Sequence, residues 1–137
     1  MKVDLSKYDN SEYTTGSRYV KRILWYLFNA VFFLNPFFPF SGIKVTILRM
    51  FGAKAGKGIV IKPRVNIKYP WRLSIGNFVW IGEKVWIDNL NHVNIGDNCC
   101  LSQGAMLLCG SHNYKKATFD LITKPIHLDE GVWIGAN

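Results

Sequence analysis

The sequence predicts a parallel β solenoid closed at its N-terminal end by two short helices. Three observations carry this. From Ala55 onward an apolar residue returns every six positions, at Ala55, Ile61, Ile67, Ile75, Ile81, Ile87, Ile95, Leu101, Leu107, Leu128 and Ile134. The place after it is often glycine (Gly56, Gly76, Gly82, Gly96, Gly135), and the fifth place is small or branched (Ile59, Val65, Val79, Val85, Cys99, Ala105, Val132). Residues before Ala55 follow a helical spacing instead. An apolar side chain every six residues fills a narrow core, and glycine or a small polar residue turns the chain just after it. Three sixes make one triangular coil, and coils stack as parallel strands about 4.8 Å apart. A sandwich would show turn signals every eight to twelve residues without a common register.

The elements follow in order. Residues 1–16 are polar and read as an arm; no charged start runs into an apolar core with a small-residue cleavage site, so no signal peptide is expected. Residues 17–34 read as a helix with Ser17 as N-cap. Val20, Ile23, Leu24, Leu27, Val31 and Leu34 share one side, and Arg18, Arg22, Trp25, Asn29 and Phe33 the other. Asn29, Asn35, Pro36 and Pro39 break the apolar run, which makes it a poor membrane span. Two readings of this helix stay open and are compatible. It covers the first coil, or its Trp/Phe face, flanked by Arg18, Lys21 and Arg22, lies on an anionic membrane surface, with residues 17–40 as the contact. Residues 35–40 form a turn. Residues 42–51 read as a second amphipathic helix, with Ile43, Ile47, Leu48 and Phe51 apolar, Lys44 and Arg49 polar, and Gly52 ending it. The chain thus divides into an arm and cap over 1–54 and a solenoid over 55–137.

The period slips in three places. Two extra residues enter near Leu73 and Ser74, two more near Val93 and Asn94, and a long interruption spans residues 113–125. The slips are 20 residues apart, which predicts that all three lie on one corner of the prism. That spacing stacks Arg72, His92 and His112 in a ladder, where Arg72 and His92 would disfavour a protonated His112. The last unit, from Ile134, is unfinished, which predicts further coils beyond it.

Bulk properties bound the function. The length of 137 residues is that of one domain, and 49% hydrophobic content supports a core. A net charge of +8 points to a polyanion, a membrane surface or a phosphorylated ligand, or to a solvated basic face. No RNP, zinc-finger or helix-turn-helix pattern appears, so nucleic acid is not expected. Cys99, Cys100 and Cys109 form no CxxC pair and are odd in number, as in a reducing cytosol.

The units Ile75-Gly76-Asn77-Phe78-Val79-Trp80, Ile81-Gly82-Glu83-Lys84-Val85-Trp86 and Ile95-Gly96-Asp97-Asn98-Cys99-Cys100, with Val132-Trp133-Ile134-Gly135, resemble the hexapeptide-repeat acyltransferases. The order of parts resembles the colanic-acid-type polysaccharide O-acetyltransferases, relatives of the maltose and galactoside acetyltransferases. The resemblance implies a left-handed parallel β-helix, an exception to the right-handed crossover rule. It implies acetyl-CoA as co-substrate, a sugar or lipid-linked sugar as acceptor, exopolysaccharide biosynthesis as the setting, no metal, and a cytoplasmic homotrimer; the membrane reading of residues 17–40 would add peripheral contact at the inner face of the membrane. It also implies a catalytic histidine, and His112 follows Ile95 at the family's interval of 17 residues. A neutral imidazole suits proton abstraction from a hydroxyl near pH 7. Acceptor binding falls to Asp88 and Asn89, with Tyr114 and His92 beside the histidine; a turn-forming Asp-Asn is the alternative. Coenzyme binding falls to Trp133, although Trp80 and Trp86 occupy the same repeat place; Lys115 and Lys116 in the interruption, with Lys124, either meet the coenzyme phosphates or simply solvate the loop. Two rivals remain. One is a γ-carbonic-anhydrase-like metal site drawing on His92, His112 and His127, weakened because Ala117 stands where a second histidine belongs. The other is a non-enzymatic scaffold.

Overall fold

The unit-leading residues point inward. Ile61, Ile67, Ile81, Ile87 and Leu101 are fully buried, Ile75, Ile95 and Leu107 nearly so. The computed structural model describes residues 2–136. Its solenoid runs through β1 (Lys54–Ala55), β2 (Val60–Ile61), β3 (Asn66–Ile67), β4 (Leu73–Ile75), β5 (Trp80–Ile81), β6 (Trp86–Asp88), β7 (Val93–Ile95), β8 (Cys100–Leu101) and β9 (Met106–Leu108). A hairpin of β10 (Gly110–His112) and β11 (Leu121–Thr123) follows, then β12 (Ile126–Leu128) and β13 (Trp133–Ile134). Three parallel sheets form the walls: β1-β4-β7-β12, β2-β5-β8-β13 and β3-β6-β9. Partners lie 20 residues apart, as in Ala55 with Ile75 and Ile67 with Ile87. Across the hairpin the offset becomes 33, as in Val93 with Ile126. This is a parallel β-helix.

Two details differ from the expected pattern. The chain does not turn at the second-place glycines. It turns two places later, where Gly58, Arg64, Phe78, Lys84, Asn98, Gly104 and Gly131 all have positive φ. The glycines serve close stacking instead: a Cβ on Gly82 would lie 2.7 Å from the Gln103 amide nitrogen and 2.8 Å from the Leu101 carbonyl oxygen in the next coil. The interruption is also longer than residues 113–125 and is ordered. It begins at Gly110, and Gly110–His112 pair antiparallel with Leu121–Thr123.

The N-terminal segment covers the first coil, and the Trp/Phe side of its first helix turns inward, so that side is not the one that lies on a membrane. α1 spans Tyr19–Phe28, a π turn spans Asn29–Phe33, and α2 spans Ser41–Met50. Ser17 is not the N-cap; Arg18 holds that position without a side-chain bond. Trp25, Asn29 and Phe33 are buried, whereas Val20, Ile23, Leu24, Leu27, Val31 and Leu34 are exposed. A π turn has more residues per turn than an α-helix, which keeps residues four apart in line. The physical reason for this orientation is the edge of the first coil. Its unpaired backbone groups need partners, and the polar side of the helices supplies them. Trp25 Nε1 donates to the Ile67 carbonyl at 2.8 Å, and Asn29 Nδ2 donates to Asn66 Oδ1 at 2.9 Å. Ser41 Oγ accepts from the Ile61 amide at 2.9 Å, and Arg49 donates to the carbonyls of Ala55 and Gly56. Lys44, expected on the polar side, is completely buried and donates to the carbonyls of Ile61 and Lys62. Burial holds its amine down to about 8. Ile47, Leu48 and Phe51 are buried as expected, and Ile43 is exposed.

Candidate active site

His112 ends β10 and so stands on the hairpin that leaves the prism at its irregular corner. Leu121 is its cross-strand partner. The imidazole is half-buried between two aromatics. Phe119 stacks on it with centroids 4.3 Å apart and planes at 5°, and Tyr8 of the arm meets it edge-on at 5.7 Å. His112 Nδ1 lies 3.1 Å from the Phe119 carbonyl oxygen. A carbonyl only accepts, so the neutral ring carries its hydrogen on Nδ1 and leaves the Nε2 lone pair free. Phe119 takes up φ 50°, a left-handed conformation that is uncommon for a bulky residue. That conformation accompanies both the stacking of its ring and the bond to its carbonyl.

The hairpin is braced from within. Thr118 Oγ1 donates to Asp120 at 2.6 Å and Lys116 Nζ pairs with the same carboxylate at 3.2 Å. The Thr118 hydroxyl, then the Lys116 ammonium, hold that carboxyl below the usual carboxylate range. The Asp4 amide donates to the Ala117 carbonyl at 2.9 Å, which ties the arm to the hairpin. Between arm, corner and hairpin lies a cleft of about 360 Å³, lined by Tyr13, Arg72, Asn91, His92, Leu121 and Thr123 among others. Its Leu121 is the residue paired with His112.

The expected ladder is corrected by the strand register. Leu73, Val93 and Ile126 pair in succession, so the stacked residues before them are Arg72, His92 and Pro125. His112 is on the hairpin instead, because the inserted residues start before it, at Gly110. Arg72 is engaged with Tyr13 Oη and the carbonyls of Thr14 and Leu90, so the electrostatic help expected of the ladder has no geometric basis.

Of the other candidates, His92 lines the cleft and Tyr114 is exposed on the hairpin. Asp88 sits at the corner 3.9 Å from Lys68. Asn89 is 0% exposed, accepts from the Tyr69 amide at 2.8 Å and donates to the Tyr69 carbonyl at 2.6 Å. Both ends of its amide bind one coil to the next, which corrects the acceptor-binding expectation in favour of the turn. Lys115 is exposed, and Lys116 is held by Asp120. Trp133 is 74% exposed, donates to Ser102 Oγ at 2.7 Å and belongs to the wall β2-β5-β8-β13, away from the hairpin. A shallow groove on that wall is lined by Trp80, Cys100 and Ser102. Phe119, Tyr8 and Asn91 escaped the sequence reading, since none occupies a repeat position. Cys99 and Cys109 are buried, and burial pushes the Cys109 thiol up, so neither is poised as a nucleophile.

Comparison with known proteins decides the family. The chain is 33% identical over 134 residues, 98% of its length and 74% of the relative's, to a protein of Escherichia coli (strain K12) named "Putative colanic acid biosynthesis acetyltransferase WcaF". A Shigella flexneri protein of the same name matches equally. The chain belongs to the WcaF family. No protein-family model and no solved structure matches it. In this WcaF relative, Asp97 of the Ile95-Gly96-Asp97-Asn98 unit has a structural role: its Oδ1 accepts from the Asn77 amide of the preceding coil at 2.7 Å. The unit therefore marks the interval to His112 without itself reaching the histidine. Among the described residues no three His, Cys, Asp or Glu side chains gather as a metal set. His127 pairs with Asp129 at 3.0 Å on the exposed surface.

Proposed function

We propose that the protein moves an acetyl group from acetyl-CoA to a hydroxyl of a sugar or lipid-linked sugar in exopolysaccharide biosynthesis, with His112 as general base. The supporting observation is the seating of His112, stacked on Phe119 with Nδ1 on its carbonyl, which leaves Nε2 free to take a proton. Membership in the WcaF family supports the transferase class. Bound acetyl-CoA supplies the activated thioester. His112 Nε2 takes the proton of the acceptor hydroxyl while its oxygen forms the new ester bond and the carbon–sulfur bond breaks. His112 then returns the proton to the departing sulfur. The cleft beside Leu121, with Asn91 and His92 in its wall, suits a hydroxyl-rich acceptor.

The coenzyme candidates fit in part. Lys115 is unpaired by any carboxylate among the described residues, whereas Lys116 is occupied by Asp120. Trp133 is on another wall of the same prism. The set is complete when a second chain of a homotrimer brings its Trp133 to this hairpin, so the site lies between chains.

The test is release of free coenzyme thiol from acetyl-CoA by the full-length protein with and without oligosaccharide acceptors. Acceptor-dependent release that survives a chelator is expected. Activity that needs no coenzyme A, is lost on chelation and returns with zinc would instead favour the metal reading.

A further inference from the structure

The outward apolar stripe is left without a partner by the way the cap is built. Val20, Ile23, Leu24, Leu27, Val31 and Leu34 run along one side of α1 and the π turn; Leu27 is 53% and Val31 55% exposed. Phe37 at the following turn is 89% exposed, and Phe40 and Ile43 extend the surface onto α2. A contiguous apolar face of this kind marks an interaction site. No described helix is long and apolar enough to cross a membrane.

Charge identifies the partner. Between residues 13 and 82, which hold both helices and the first coil, the sequence has eleven Lys and Arg and no Asp or Glu. The rest of the chain has six Lys and Arg against nine Asp and Glu. The apolar face thus sits on the cationic end of a polar molecule. Arg18, Lys21 and Arg22 stand in or beside the first turn of α1; Arg18 is exposed, and Lys21 lies over the Trp71 ring at 5.1 Å. A second copy docking through this face would bring two strongly cationic ends together. A soluble polyanion would satisfy the charge but would not cover the apolar side chains. A surface with anionic heads over hydrocarbon satisfies both.

We propose that the α1 and π-turn face docks onto an anionic lipid bilayer surface, with Leu27, Val31 and Phe37 entering the headgroup–acyl boundary and Arg18 at the phosphates. The helix lies in the plane of the surface, and the solenoid points away from it. This surface is separate from the chemistry at His112, and its test does not depend on that chemistry.

The test is sedimentation of the full-length protein with vesicles of phosphatidylcholine alone and of phosphatidylcholine with an equal share of phosphatidylglycerol. Binding to the anionic vesicles is expected, weakened by high salt, and little binding to the neutral ones. Leu27→Asp should lower the anionic-vesicle partition by about tenfold or more. Phe37→Ser, at the most exposed of these positions, is the second variant should Leu27→Asp disturb the circular dichroism. Lys84→Glu, at a solenoid corner, should bind as wild type. Absence of binding to anionic vesicles, or wild-type partition by both apolar variants, would overturn the proposal. So would dissociation of an oligomer by those variants, which would make a second copy the occupant.

Discussion

Lys44 is a buried amine whose partners are backbone carbonyls, with no carboxylate, and its burial gives stability a pH dependence. Burial holds its folded amine at about 8 against the ordinary 10.5. Above the higher value neither state is charged. As pH falls through the window, the unfolded chain takes up a proton that the folded chain resists, so folding is penalised, fully so below the lower value. Wild-type stability should therefore rise between pH 8 and 10.5 relative to Lys44→Met, by roughly 1–3 kcal/mol. Denaturant midpoints of both proteins at the two ends of the window check this; a constant difference would place the amine in water. At this scale the sequence was partly legible. His112 stood out because the family resemblance places a histidine 17 residues after the Ile95-Gly96-Asp97-Asn98 unit begins. Its surroundings did not, because Phe119 lies in a segment without period and Tyr8 in an arm without pattern. Asn89 misled because its turn role and a binding role call for the same amide.

The strands and helices were legible to different degrees, for a physical reason. Solenoid positions are fixed by stacking, so a side chain of the wrong size or polarity is felt by the next coil, and the period survives in the sequence. Gly82 shows how tight the stacking is. Gly82→Ala puts a methyl within 2.8 Å of two backbone atoms of the next coil and should cost about 1–3 kcal/mol. Gly42→Ala, in α2 with nothing within 4 Å, should be neutral or slightly stabilising. Thermal melting of the two variants separates close approach from loss of chain flexibility; equal effects would contradict the stacking of coils on Gly82. The helices were read with the correct bounds to within a few residues, but α1 turns its Trp25–Phe33 side inward and α2 buries Lys44 along with its apolar side. Apolar periodicity assumes that a helix buries its apolar stripe. A cap on a solenoid must also satisfy strand-edge carbonyls and amides, so Asn29 and Lys44 are buried and Ser41 and Arg49 bond to the edge from the surface.

At the scale of the molecule, the chain has three structural regions along its length. The cationic cap carries an apolar face, the prism sets the corners, and the hairpin at one corner holds His112 against the arm. The fold class was legible almost entirely, since few architectures other than a solenoid bury one residue in every six. The geometry of the corner was not, because a ladder requires the inserted residues to follow His112, whereas they begin at Gly110. Removal of the acceptor proton by His112 is tested most directly by the turnover of His112→Ala, with acetyl-CoA and an accepted oligosaccharide both saturating. A loss of about 10²-fold or more is expected, with unchanged circular dichroism and oligomer mass. Near-normal turnover in that variant would contradict a general-base role for His112.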